Sequence, residues 1–252
     1  MISIYGCTSD PSSPLTSTLL QSYSTVYDFD HIFDTGNLVP MENNPRVYYW
    51  QSEYVLKLYG SKYEMNMIHL AGDCAVIVMG PVIQDGKQLG FLMKRETPLG
   101  EARTSSDAEK KSIMYMMKRV VKELHMGKGI VHGDLKLDNM LQCSDGTVRL
   151  CDFAGAFKVH DPSPPTPIYT PQWLSPYRAL HSKEPPTMDD DLFALGVCIW
   201  ELFTGKKPFE GKGARELICQ GETINVNEIE DEEARNVVKE LMSGMLMKGC
   251  TQ

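Results

Sequence analysis

The sequence predicts an α+β fold with a β-rich first third followed by a mainly helical remainder. Between residues 26 and 94, short runs of β-branched and aromatic residues alternate with turn clusters, which is typical of an antiparallel meander. After residue 100 the apolar residues recur with helical spacing instead. The chain has 252 residues, a length that suits one compact unit or two fused lobes.

The first third is predicted to contain five strands and one short helix. The strands cover 26–33, 46–50, 54–58, 75–82 and 90–94, and a helical pattern covers 62–70. The last two strands are joined through Gln84-Asp-Gly-Lys87, whose Asp-Gly pair is a hairpin signal. A stretch rich in Ser, Thr and Pro, 8–24, precedes them and is expected to be a loosely held lead-in.

Three helices are predicted in the remainder. The first covers 106–127, because Ser106 is a good N-cap, apolar residues follow with helical spacing, and Gly127 is a stop signal. The second, 194–203, is almost wholly apolar and is therefore expected to be buried. The third, 232–247, is amphipathic and is expected to cover one side of the core.

Composition excludes several classes of protein. Lys and Arg number 25 against 33 Asp and Glu, and this net charge of −8 argues against a general nucleic-acid binder. The longest apolar run, 192–203, is too short to span a bilayer and contains Glu201. Seven scattered cysteines predict free thiols, and the first residues lack the pattern of a secretory signal. We therefore expect an intracellular protein, with the cytoplasm favoured over the nucleus, that neither binds nucleic acid nor enters a membrane.

One segment carries a recognisable pattern of chemistry-bearing residues. It is His132-Gly-Asp-Leu-Lys-Leu-Asp-Asn139, followed by the turn Ser144-Asp-Gly146 and then by Val148-Arg-Leu-Cys-Asp-Phe-Ala154. These features predict a loop, a hairpin and a second carboxylate, Asp152, that returns beside the first. The pattern resembles the catalytic core of eukaryotic-type protein kinases, H-R-D-x-K-x-x-x-N followed by D-F-G.

The resemblance implies ATP as phosphoryl donor, Mg²⁺ as metal and a role for each matching residue. Asp152 and Asn139 would hold Mg²⁺, because carboxylate and amide oxygens are ligands that this cation prefers. Asp134 would accept or orient the proton of the substrate hydroxyl. Lys136 would lie near the transferring phosphate, and a lysine at this position is similar to the Ser/Thr-directed branch of the family.

Further matches follow in the expected order. Tyr169-Thr-Pro-Gln-Trp-Leu-Ser-Pro-Tyr177 resembles G-T-P-x-Y-x-A-P-E, which implies that Thr170 hydrogen-bonds the catalytic aspartate and lysine. Asp191-Leu-Phe-Ala-Leu-Gly196 resembles D-x-W-x-x-G, in which the aspartate braces the backbone of the catalytic loop. Gly205-Lys-Lys-Pro-Phe209 resembles G-x-x-P-F. The close resemblance thus covers residues 124–211.

Upstream of that region the resemblance is looser. Tyr54-Val-Leu-Lys57 is similar to the V-A-I-K strand, so Lys57 would contact the α- and β-phosphates; a strand lysine facing solvent is the alternative. Glu64 is the candidate partner of Lys57, although the spacing is short and an ordinary surface glutamate is the alternative. Met93-Lys-Arg-Glu96 would form the hinge, where the backbone at Met93 binds adenine.

Several family features are absent from the sequence. No G-x-G-x-x-G precedes Lys57, Gly133 stands where many kinases have arginine, Ala154 replaces the glycine of D-F-G, and Tyr177 replaces the glutamate of A-P-E. We therefore predict a trimmed bilobal kinase-like fold. Its reduced β-rich N-lobe would cover 1–93, and a hinge with a mainly helical C-lobe would cover 94–252.

Three functions are compatible with these residues. The first is a protein kinase that transfers the γ-phosphoryl group of MgATP to Ser or Thr of protein substrates. The second is a pseudokinase that scaffolds or regulates a partner protein. The third is a small-molecule phosphotransferase, because His-Gly-Asp also opens the catalytic loop of aminoglycoside and choline kinases; Lys136 and the segment 170–177 argue against it. The proline-rich run 161–167 is a stiff exposed loop or a site for a partner or for proline-directed phosphorylation.

Overall fold

The computed structural model describes residue 23 and residues 25–35, 38–42, 44–100, 106–211 and 213–249. Internal packing divides the chain into two compact units, Met1–Lys62 with Val78–Arg95, and Tyr63–Ile77 with Glu96–Gln252. The first is β-rich and the second is mainly helical, which confirms the predicted α+β fold. The assignment of lobes to 1–93 and 94–252 stays a prediction. Apart from Tyr23, the predicted lead-in lies outside the described residues.

The first unit is built on a six-stranded sheet with the order β1-β5-β6-β4-β3-β2. All neighbouring strands in it are antiparallel except β1 and β5. The hairpin between β5 and β6 turns at Asp85 and Gly86, both with positive φ, which confirms the Asp-Gly signal. The strands are β1 Tyr27–Asp28, β2 Leu38–Met41, β3 Asn44–Trp50, β4 Tyr54–Leu58, β5 Val78–Gln84 and β6 Lys87–Lys94.

The predicted strand 26–33 was wrong, because most of it is helix α1, Phe29–Asp34. Asp28 caps this helix by accepting a hydrogen bond from the backbone of His31 at 3.1 Å. Phe29 and Phe33 stack one turn apart at 6.1 Å between ring centroids, and Ile32 is fully buried in the core of this unit. The alternating aromatics therefore satisfy a helical spacing as well as a strand spacing, and burial of Ile32 against distant residues, together with the Asp28 cap, selects the helix.

The second unit contains most of the helices. Helix α2 is Lys62–Ala71, and α3 is Asp107–Lys122, extended by a π-helical turn over Glu123–Gly127. The remaining helices are α4 Pro176–Leu180, α5 Met188–Thr204, α6 Ala214–Cys219 and α7 Glu232–Gly249. Five short strands form two small sheets, β10-β9-β7 and β11-β8. They are β7 Thr97–Pro98, β8 Ile130–Val131, β9 Met140–Gln142, β10 Val148–Leu150 and β11 Phe157–Lys158.

Helix α5 is the centre of the second unit, and α3 and α7 both pack against it. Its buried character was predicted, but it begins six residues earlier than the predicted helix 194–203. A capping box starts it, in which Thr187 and Asp190 exchange hydrogen bonds. The extra first turn is acidic, which suits a helix N-terminus. It also carries Asp190 and Asp191 into the interior, where both are buried.

The free thiols of the described residues were also expected from the sequence. The five cysteines of the described residues are free, and Cys74, Cys143 and Cys198 are buried. Cys7 and Cys250 lie outside the described residues. Within the part of the chain that the structure describes, every helix is too short or too polar to cross a bilayer.

Candidate active site

The buried carboxylate of Asp191 holds the backbone of the loop His132–Asn139. The backbone N–H groups of His132 and Gly133 donate to the two oxygens of Asp191, at 2.7 and 2.9 Å. Asp191 is 1 % exposed and lies in the first turn of α5. Gly133 has a φ of +82°, a conformation that side chains disfavour, so glycine allows both N–H groups to face one carboxylate. This confirms the bracing role that the resemblance implied for Asp191.

His125 completes the same buried cluster, and the sequence analysis missed it. Its Nε2 lies 2.9 Å from Asp191 Oδ2, and its ring is 5 % exposed. The π-helical turn after α3 places this side chain beneath the loop. A histidine near the end of an amphipathic helix carries no sequence signal for such a contact, because its partner is 66 residues away.

Asp134, Lys136 and Thr170 form one hydrogen-bonded group, which we call the catalytic triangle. The Thr170 hydroxyl donates to Asp134 Oδ1 at 2.8 Å. Lys136 Nζ donates to Thr170 Oγ1 at 3.0 Å and lies 3.4 Å from Asp134 Oδ2. The two charged side chains are 10 % and 22 % exposed, so the group is sheltered but reachable. The structure thus brings Thr170 to two residues that lie 34 and 36 positions before it in the sequence.

Asn139 packs directly behind Asp134. Its Nδ2 donates to the backbone oxygen of Asp134 at 2.9 Å and lies 3.4 Å from Asp134 Oδ2. The residue ends the 3₁₀ turn Leu137–Asn139 and is 5 % exposed. Because the amide nitrogen is used in this way, the amide oxygen is the atom of Asn139 that can serve a metal or a substrate.

Asp152 enters the site immediately after β10. The backbone N–H of the preceding Cys151 donates to the backbone oxygen of Asn139 at 3.0 Å. Asp152 therefore follows a residue that is hydrogen-bonded to the loop. The backbone oxygen of Cys151 also accepts a hydrogen bond from His132 Nε2, at 3.0 Å. Asp152 has a φ of +63°, an unfavourable value that non-glycine residues often adopt at functional sites. Phe153 next to it is fully buried and packs edge-on against the His132 ring.

The donor set of Asn139 and Asp152 fits Mg²⁺. Both supply hard oxygen ligands, and Mg²⁺ is commonly held by one or two carboxylates together with substrate phosphates and water. The described residues contain no cluster of three or more His, Cys, Asp or Glu side chains arranged to hold a metal.

Helix α2 is tied to the segment that follows Asp152. The Tyr63 hydroxyl donates to the backbone oxygen of Ala156 at 2.8 Å. Burial and the nearby Asp161 carboxylate raise the pKa of Tyr63 above its usual value, so it stays a protonated donor at neutral pH. Glu64, the next residue, is 2 % exposed and is therefore not an ordinary surface glutamate.

Lys57 and Met93 belong to the first unit and lie on neighbouring strands. In the register of β4 and β6, Val55 is opposite Met93 and Lys57 is opposite Phe91. Lys57 is half-buried, which does not match the alternative of a solvent-facing lysine. Glu64 belongs to the second unit, and its pairing with Lys57 stays a prediction. The paired ends of β2 and β3, Met41 and Asn44, are joined without any glycine.

The region from Phe153 to Tyr177 follows the site residues. It contains β11, which pairs with β8, the 3₁₀ turn Pro171–Trp173 and the first two residues of helix α4. The proline-rich run 161–167 has no regular secondary structure, and Ser163 and Thr166 in it are exposed. Tyr177, at the position of the missing glutamate, donates through its hydroxyl to Glu184 at 3.2 Å.

Comparison with known proteins gives a consistent result. A family model described as the protein kinase domain matches residues 49–252. Serine/threonine-protein kinase PLK4 of Nematostella vectensis is 27 % identical over 166 residues, which cover 65 % of this chain and 15 % of that protein. Ribosomal protein S6 kinase alpha-4 of Mus musculus is 30 % identical over 130 residues, covering 47 % and 17 %. The probable serine/threonine-protein kinase PknB of Lactococcus lactis is 38 % identical over 89 residues, covering 34 % and 14 %. The matches therefore span 14 to 17 % of the length of these relatives.

Proposed function

Because the chain belongs to the protein kinase family, we propose that it transfers the γ-phosphoryl group of MgATP to serine or threonine hydroxyls of proteins. The observation that carries the proposal is the catalytic triangle. A carboxylate that is reachable from solvent is held at a fixed position by a hydroxyl donor, with an ammonium group 3.4 Å away. A fixed base beside a fixed positive charge is what phosphoryl transfer asks of a protein.

Asp134 is the residue that handles the proton in this proposal. Its carboxylate orients the substrate hydroxyl and takes its proton as the oxygen bonds to the γ-phosphorus and the bond to the β-phosphate oxygen breaks. Thr170 occupies Oδ1 of that carboxylate, which leaves Oδ2 facing Lys136 and Asn139. Lys136 offers a positive charge to the phosphoryl oxygens, where negative charge is greatest during transfer.

Asn139 and Asp152 are assigned to the metal. Mg²⁺ bound there would supply charge neutralisation at the phosphate oxygens. The amide of Asn139 faces Asp134 with its nitrogen, so metal ligand and base are linked by one side chain. Lys57, Glu64 and the backbone at Met93 complete the proposed nucleotide contacts, as the resemblance implies.

The choice of serine and threonine rests on Lys136 and on the names of the relatives. Lys136 resembles the Ser/Thr-directed branch of the family, and the three relatives named above carry serine/threonine-protein kinase or ribosomal protein S6 kinase in their names. Segment 170–177 argues against a small-molecule substrate, because small-molecule kinases that share His-Gly-Asp lack it.

One observation favours a second candidate, a pseudokinase that binds a partner protein. The β2–β3 connection, Met41-Glu-Asn-Asn44, contains no glycine, so it lacks the small residues that let backbone N–H groups approach phosphates. A fold of this family without nucleotide turnover would still offer the second unit as a binding surface.

The proposal is tested by transfer of labelled phosphate from MgATP to a mixed protein substrate. We expect label on serine or threonine with the wild-type chain and a loss of about 10²- to 10⁴-fold with Asp134→Asn, because the general base is removed. Asp152→Asn is expected to lose transfer as well and to raise the Mg²⁺ concentration needed for any that remains.

Asp85→Asn is the matched control, because it makes the same chemical change in an exposed turn where asparagine tolerates positive φ. It is expected to leave transfer unchanged. Absence of label with folded wild-type protein would overturn the proposal in favour of the pseudokinase. Label on a small alcohol or amine but on no protein would favour the third candidate.

A further inference from the structure

A buried arginine lies behind the catalytic triangle and has no part in the mechanism above. Arg178 is 2 % exposed, although arginine is rarely buried without a partner for its charge. It belongs to helix α4, whose N-cap Ser175 accepts from the backbone of Arg178 at 3.0 Å and donates to Asp190 at 3.1 Å. Helix α4 is thereby fastened to the first turn of α5, which also holds the catalytic loop.

The guanidinium of Arg178 contacts one residue that precedes it in the chain, Tyr169, and one that follows it, His181. Nη1 donates to the backbone oxygen of His181 at 2.6 Å, and the carbon Cζ lies 5.8 Å from the ring centre of Tyr169. Nη2 has no hydrogen-bond partner among the described atoms. Burial lowers the pKa of Arg178, although arginine keeps its charge at any ordinary pH. The Asp190 carboxylate opposes this shift. A buried cation that still has a donor without a partner is costly for folding alone, which points to another reason for its presence.

Tyr169 connects this arginine to the triangle. It directly precedes Thr170, and its ring packs against a small apolar cluster. One cavity is lined by Arg178 and Tyr169 together with Thr170 and Asp134. The guanidinium and the apolar cluster therefore both contact Tyr169, and the backbone of Tyr169 fixes where the Thr170 hydroxyl can point. The cluster consists of Leu174, Ala179, Ala214 and Ile218.

We propose that Arg178 is a positioning residue, which holds Tyr169 so that the Thr170 hydroxyl stays on Asp134. Tyr177 stands where the family has a glutamate. Arg178, the next residue, instead stabilises this segment through its contact with Tyr169. This inference rests on the proposed function for its catalytic consequence. Its structural consequence, the order of residues 168–175, does not depend on that function.

The test combines Arg178→Met with Thr170→Val in a double-mutant cycle. We expect Arg178→Met to lower kcat about 10- to 100-fold with little change in the KM for MgATP, because a small misplacement near the chemistry has effects of this size. In the Thr170→Val background the same change is expected to cost less than about twofold, because the group through which Arg178 acts is already gone. Equal effects in both backgrounds would overturn the inference.

Hydrogen exchange gives a readout that needs no activity. Amides in residues 168–175 are expected to exchange at least about tenfold faster in Arg178→Met, while the urea midpoint stays near that of wild type. Arg215→Met is the matched control, because Arg215 is exposed and contacts only Ser182 among the hydrogen bonds found for its side chain. It is expected to change neither the exchange nor kcat.

The outcomes separate this inference from the proposed function. Faster exchange without any wild-type transfer would support Arg178 as an anchor and overturn the kinase activity. Phosphate transfer by the wild-type chain, with unchanged hydrogen exchange in Arg178→Met, would support the kinase activity and overturn the role of Arg178. Arg178→Lys covers the case in which the methionine variant does not fold, since it keeps a donor for His181; if neither variant folds, Arg178 serves folding and the inference is wrong.

Discussion

Asp191→Asn is the substitution for which the structure gives the sharpest energetic expectation. The carboxylate accepts three hydrogen bonds, from the backbone of His132 and Gly133 and from the side chain of His125, at 2.7 to 2.9 Å. It is 1 % exposed, so water cannot replace a lost acceptor. Asparagine has the same shape but only one acceptor oxygen.

The cost follows from counting the bonds. In its better orientation the asparagine oxygen replaces Oδ2 and keeps His132 and His125, but its NH₂ group then faces the N–H of Gly133. Loss of one hydrogen bond to a charged group costs about 1.5 to 3 kcal/mol. The two retained bonds lose their charge assistance, which is roughly half of their strength. We therefore expect the free energy of unfolding to fall by about 3 to 5 kcal/mol.

Urea unfolding followed by tryptophan fluorescence measures this change. Trp173 and Trp200 both lie in the second unit and report on its unfolding. The matched control is Asp189→Asn, an exposed residue of the same helical turn, for which helix-dipole effects predict about 0.3 to 1 kcal/mol. If Asp191→Asn costs no more than the control, the carboxylate does not hold the loop in the way described.

Two further predictions concern packing and pH. Gly90→Ala is expected to destabilise the first unit by about 3 kcal/mol, because a Cβ at this position would overlap the backbone oxygen of Lys57. Gly244→Ala, in an open part of α7, should instead raise the free energy of unfolding by about 0.5 to 1 kcal/mol. An unchanged urea midpoint in Gly90→Ala would contradict the strand packing. Burial raises the pKa of Cys74 from 9.0 to about 11. The folded state therefore holds this proton more tightly than the unfolded chain, and its stabilising effect is complete below pH 9 and is lost as pH rises toward 11. Cys74→Ala should make the fall in stability over pH 9 to 11 shallower by up to about 3 kcal/mol, and an unchanged slope would show that Cys74 is not the group responsible.

Local patterns in the sequence predicted the elements whose stabilising contacts are also local. The capping residue Ser106 marked the start of α3, and Asp85-Gly86 marked the hairpin between β5 and β6. The strand prediction for 26–33 failed for the complementary reason. Its aromatic residues fit two periodicities, and the choice depends on burial of Ile32 against residues far along the chain.

The residues of the candidate site were likewise predictable from local spacing, whereas their contacts were not. The spacing of Asp134, Lys136 and Asn139 is local, and the family pattern extended it to Asp152 and Thr170 before any contact was known. Their distances, by contrast, are set by strands and helices that meet in three dimensions. His125 and Arg178 carry no sequence signal, because a buried histidine and a buried arginine are recognised only by what surrounds them.

By itself the sequence determined the fold class, the family and the identity of the residues that resemble a phosphoryl-transfer site. Tertiary structure alone decided that His125 joins the buried Asp191 beneath the loop and that Arg178 is buried beside Tyr169. The physical reason is that residue type and spacing encode local conformation and chemical capability. Burial and long-range hydrogen bonds exist only after the chain has packed, and they fix the positions and orientations of the side chains in the site.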